Sequence, residues 1–98
     1  MTRKETLDYI NNMDITELLK YDLRKYTNRL FDEYFETYDL IREGHYYIDH
    51  VYLLKECYIE YSTYLYALCR ANIINKIDFY ELEESAYNVF DLLQTEKY

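Results

Sequence analysis

The chain has 98 residues, 15 of them tyrosine, with one glycine, no proline, no tryptophan, and 19 acidic against 11 basic residues for a formal net charge of −8. At this length it makes one domain, residues 1–98, and the near absence of Pro and Gly excludes sandwiches and doubly wound sheets, which need several tight turns. The acidic balance excludes direct nucleic-acid binding and anionic membrane surfaces, since both run on Lys and Arg.

Thr2 and Glu5 have the spacing of a capping box and open a short first helix that runs to about Asn12. Asp14 and Glu17 repeat the spacing, with Met13 and Leu18 as a hydrophobic staple. The second helix is expected from Ile15 to about Glu43, ending at Gly44 as a left-handed cap. Its apolar line is Leu19, Leu23, Tyr26, Leu30, Tyr34, Tyr38 and Ile41, in steps of four or three. Such a helix is about 43 Å long, longer than a compact domain of this size is wide. Either it breaks or the molecule is elongated.

The third helix, residues 47–72, has the clearest pattern. Tyr47, Val51, Leu54, Tyr58, Tyr61, Leu65, Leu68 and Asn72 alternate strictly by four and three, a heptad seam. A flanking line adds Ile48, Tyr52, Ile59, Tyr66, Cys69 and Ile73, and Leu53, Cys57 and Tyr64 lie further round. Only Asp49, Glu56, Glu60, Thr63 and Arg70 form a polar strip. A helix apolar on most sides is packed on most sides. Either the bundle closes round it, or some of Tyr52, Tyr64 and Tyr66 remains for a partner.

Asn72 is placed for a left-handed cap before a break at 72–75. Asn75 and Asp78, with Ile74 and Phe79 as staple, start a fourth helix that reaches about Gln94. Its inward residues are Phe79, Leu82, Ala86, Val89, Phe90 and Leu93. The expected fold is all-α: an elongated four-helix arrangement, with a long antiparallel hairpin of helices two and three on which the short first helix and the fourth helix pack. No 18-residue apolar run and no signal-peptide pattern is present, so the expectation is a cytoplasmic chain with no membrane span.

Two features carry functional information. Asp32, Glu36, Asp39 and Glu43 step by four, three and four along one face of the second helix, with Glu33 beside them. Like charges at these spacings oppose the helix by about 0.2–0.5 kcal/mol per pair, and Glu43 sits at the negative helix end. The fourth helix repeats the theme with Glu81, Glu84 and Asp91. Residues 1–29 hold six basic and five acidic residues, and residues 30–98 hold five and 14, nets of +1 and −9. Such faces keep a protein soluble, and they also suit docking to a basic surface. The second feature is tyrosine, in excess of what so small a core hides and enriched at interfaces generally. Drift in an AT-rich genome, or core packing with hydroxyls at the rim, also produces such an excess.

No catalytic signature accompanies these features. Cys57 and Cys69 lie about 18 Å apart along one helix, beyond disulfide reach, and read as free thiols. His45 and Asp49 stand one turn apart, but no HExxH, ExxH or CxxC motif supports a metal site. Ser62 and Ser85 lack an elbow motif, and no glycine-rich phosphate loop exists. The expectation is a non-enzyme with no cofactor.

The length, the acidic faces from Asp32 to Glu43 and from Glu81 to Asp91, the tyrosines and the absence of catalytic motifs together resemble the profile of small phage- or mobile-element-encoded inhibitors of the anti-CRISPR and anti-restriction type. The resemblance implies inhibition by binding a host nuclease complex, on a basic surface that normally handles nucleic acid. It assigns no residue by position. The contact residues expected from the faces themselves are Asp32, Glu33, Glu36, Asp39, Glu43, Glu81, Glu84 and Asp91, with Tyr52, Tyr64 and Tyr66. The competing expectation is a homodimeric helical structural or regulatory module, joined through the seam of the third helix.

Overall fold

The computed structural model describes residues 1–44 and 48–96. They form four helices and no strand: α1 (Arg3–Asn11), α2 (Glu17–Arg42), α3 (Ile48–Arg70) and α4 (Lys76–Glu96). His45 and Tyr47, assigned above to a pairing and to the seam, lie outside the described residues, as do the side chains of Ile48 and Leu93.

The caps follow from local chemistry. Thr2 and Glu5 make both halves of the capping box: Thr2 N–H donates to Glu5 Oε1 at 2.9 Å and Glu5 N–H to Thr2 Oγ1 at 3.2 Å. The bond from the Thr2 backbone holds the Glu5 carboxyl below its ordinary range. Asn75 Oδ1 accepts from Asp78 N–H at 2.7 Å and opens α4. Gly44 and Asn72 both take positive φ, 86° and 59°, after α2 and α3. At Asn72 the bonds Ile73 N–H to Leu68 C=O and Asn72 N–H to Cys69 C=O complete a Schellman motif.

Helix α3 ends at Arg70 and α4 at Glu96, each two residues from the expected bound, and the start of α2 differs for a reason of packing. Helix α2 starts two residues later, with Thr16 as its cap and Thr16 Oγ1 accepting from Leu19 N–H at 3.3 Å. The Met13–Leu18 staple does not form, because Met13 is buried while Leu18 is 72% exposed. Met13 N–H instead continues the end of α1 by bonding Ile10 C=O. Packing of Ile10 and Met13 into the core thus decides between two plausible caps.

Helix α2 is unbroken over 26 residues, and the molecule is elongated, 43 × 23 × 20 Å. Helices α2 and α3 form the long antiparallel hairpin; α4 packs on both, and α1 packs on α2. The core runs along this hairpin: Leu23 and Leu30 of α2, Leu54, Tyr61 and Leu65 of α3, Leu82 of α4 and Ile10 of α1 are fully buried. Burying each such aliphatic side chain contributes roughly 1.5–3 kcal/mol. Polar side chains in this core are bonded. Thr27 Oγ1 donates to Leu23 C=O and pairs with Tyr61 Oη at 2.8 Å. Thr6 and Ser85 hydroxyls pair at 2.9 Å and tie α1 to α4.

Candidate protein-binding surface

The acidic residues of α2 divide by environment. Glu36, Asp39 and Glu43 are exposed, and none of their side chains makes an ion pair or hydrogen bond among the described residues. Asp32 is also exposed, but Arg3 Nη2 holds it at 2.8 Å. The same guanidinium lies over the Phe31 and Phe35 rings, 5.5 and 5.7 Å from their centroids. Glu33 turns the other way and is half-buried, with Oε2 buried and unbonded. It lies close enough to Cys57 to affect the thiol, which burial chiefly pushes up.

On α4, Glu81, Glu84 and Asp91 are exposed. A cleft of about 610 Å³ between α1, α2 and α4 is lined by Phe31, Tyr34, Phe35, Asn88, Val89 and Asp91 together with the start of α1. It sets Asp91 across from Phe31, Tyr34 and Phe35 of α2; Glu81, Glu84 and the ladder carboxylates lie outside it. The ladder itself places four carboxylates, from Asp32 to Glu43, over about 16 Å of helix rise. That is about one charge per 5 Å, against one per 3.4 Å along a single nucleic-acid strand.

The tyrosines fall into two groups. In one, hydroxyls donate to carboxylates across helix seams: Tyr9 to Asp78 at 2.6 Å, Tyr58 to Glu83 at 2.5 Å and Tyr64 to Asp22 at 3.3 Å. Tyr64, one of the anticipated contact residues, is thus a half-buried seam residue, stacked on Tyr26 at 4.9 Å. Burial and these bonds push Tyr9 and Tyr58 up to about 12 and raise Tyr64. Burial chiefly raises Tyr61 to about 12, against the bond to Thr27 and with a smaller push from the Glu83 charge.

The second group is open. Tyr52 and Tyr66 are 56% and 55% exposed on α3. Ile59, Ile73, Ile77, Tyr80 and Tyr87 accompany them, none of which was anticipated as contact surface. The signal was present: 52, 59, 66 and 73 are spaced by seven. Tyr66 and Tyr80 both pack on Phe79, with centroids 6.3 and 5.5 Å away, and Tyr87 packs on Tyr58 at 6.0 Å. The open residues of α3 and α4 therefore flank one seam.

Among the described residues, no three His, Cys, Asp or Glu side chains converge to hold a metal ion, and no helix is long and apolar enough to cross a membrane. Comparison with protein-family models, with curated proteins and with solved structures finds no match to this chain.

Proposed function

We propose that this chain is a non-enzymatic binding protein that inhibits a host nucleic-acid-handling complex by covering a basic surface on it, in the manner of an anti-CRISPR protein. The observation that carries the reading is the set of exposed carboxylates Glu36, Asp39 and Glu43, which no described residue neutralises. They repel one another at i,i+3 and i,i+4 spacing, and Asp39 and Glu43 stand at the helix end where negative charge is least favourable. A fold gains nothing from that placement, whereas a basic partner gains an aligned row of acceptors. Asp32, held by Arg3, extends the row, and Asp91 adds charge beside the Phe35 cleft.

Attraction of this kind is screened beyond about 8 Å at physiological ionic strength. The tagged chain should therefore capture its target from host lysate at low salt and release it at high salt. Reversing Glu36, Asp39 and Glu43 to Lys abolishes capture while circular dichroism stays unchanged. Capture that survives the triple reversal at low salt would defeat the proposal.

A further inference from the structure

Helix α3 carries two seams on opposite sides. The inner one, with Leu54, Tyr61, Leu65 and Leu68, is buried in the bundle. The outer one is Tyr52, Glu56, Ile59, Thr63, Tyr66 and Arg70, followed by Ile73 in the turn, again stepping by four and three. Every one of these residues is exposed. The inner seam satisfies the bundle, so the outer seam is a second heptad pattern that, among the described residues, stays open except where Tyr66 meets the edge of Phe79.

Its two lines differ in chemistry. One line is apolar: Tyr52, Ile59, Tyr66 and Ile73. The other is Glu56, Thr63 and Arg70, with one charge of each sign placed seven residues either side of Thr63. That arrangement is self-complementary under a two-fold axis at Thr63. An antiparallel copy sets each Glu56 opposite Arg70 of the other chain, twice, and brings Ile59 beside Tyr66 and Tyr52 beside Ile73. A parallel copy would oppose Glu56 to Glu56 and Arg70 to Arg70. Glu56 makes no ion pair among the described residues, and Arg70 lies over Tyr66 at 5.9 Å, on the seam. From Tyr52 to Arg70 the seam rises about 27 Å, and Tyr80 and Tyr87 of α4 widen it through Phe79 and Tyr58.

We propose that two copies of this chain pair antiparallel through the outer seam of α3, with Glu56–Arg70 contacts on both sides of the axis. An isologous contact of this kind closes on itself and does not propagate. It uses neither Glu36, Asp39 nor Glu43, so a dimer presents two copies of the acidic row.

Sedimentation equilibrium on the full chain tests this. Association is expected with a dissociation constant of about 10–100 μM, in keeping with a narrow interface. Glu56→Arg and Arg70→Glu, each alone, place like charges opposite each other and weaken association roughly tenfold. An equimolar mixture of the two variants restores it, because each supplies the charge that the other lacks. In a Cys69→Ser background, Thr63→Cys forms a disulfide-linked dimer on mild oxidation. Tyr52→Cys does not, since antiparallel packing separates the two positions by about 30 Å of rise, far beyond disulfide reach. Reversal of Glu36, Asp39 and Glu43 leaves the dimer intact. A wild-type chain that stays monomeric at about 500 μM overturns the proposal. So do single reversals without effect, a mixture that fails to recover, or a ready Tyr52→Cys cross-link.

Discussion

The two halves of α2 handle charge in opposite ways. In the N-terminal half, Lys20 Nζ donates to Asn11 C=O, Arg24 to Asn11 Oδ1 and Arg29 to Glu60 at 2.7 Å, while Asp22 accepts from Tyr64. Thr27 and Tyr61 close the same stretch from inside. In the C-terminal half Asp32 is held by Arg3, whereas the side chains of Glu36, Asp39 and Glu43 beyond it have no ion-pair or hydrogen-bond partner among the described residues. One continuous helix thus carries charge that joins it to other elements, then, past Asp32, charge that joins it to no described residue. The difference separates residues that hold the bundle together from residues that we propose serve a partner.

High pH is expected to have the largest effect, acting on the tyrosines that join the helices, of which Tyr61 meets the first region at Thr27. Tyr9, Tyr58 and Tyr61 have folded-state values raised to about 12 from an ordinary 10.0. The folded state therefore holds protons that the unfolded chain gives up first, so their contribution is complete below pH 10 and is lost as pH rises through about 12. Melting temperature should fall steeply across that window, with tyrosinate absorbance rising in step. Tyr61→Ala comes next. It empties the site between Thr27 and the core and costs about 3–5 kcal/mol in urea denaturation. Thr27→Val keeps the shape but leaves the buried Tyr61 hydroxyl without its partner, at about 1–3 kcal/mol. Arg29→Ala removes an exposed pair with Glu60 and costs no more than about 1 kcal/mol. Neutralising Glu36, Asp39 and Glu43 of the far half, by contrast, should not destabilise at all.

Much of this fold was legible in the residues. The Thr2–Glu5 box, the stops at Gly44 and Asn72 and the inner seam of α3 depend on contacts within a few positions, which spacing reveals. The start of α2 was not legible, because Asp14 and Thr16 are both competent caps and burial of Met13 without Leu18 decides between them. Nor were the tyrosine–carboxylate clamps, which join residues 69, 25 and 42 positions apart. They explain why this chain is rich in both tyrosine and acid: part of each serves the other across helix seams. The same clamps place Tyr64 inside the structure, while Tyr52 and Tyr66 stay outside. The acidic ladder was visible as a pattern, but only the packed structure separates bonded Asp32 and half-buried Glu33 from the unpaired Glu36, Asp39 and Glu43.

The claim that these three carboxylates serve a partner and not the fold is tested most directly by the stability of the chain carrying Glu36→Gln, Asp39→Asn and Glu43→Gln together. Removing their mutual repulsion and the unfavourable charge at the helix end should raise the free energy of unfolding by about 0.5–1 kcal/mol, with the denaturant dependence unchanged. A loss of more than about 1 kcal/mol, beyond what exposed surface positions give, would show that the ladder supports the fold and would contradict the account.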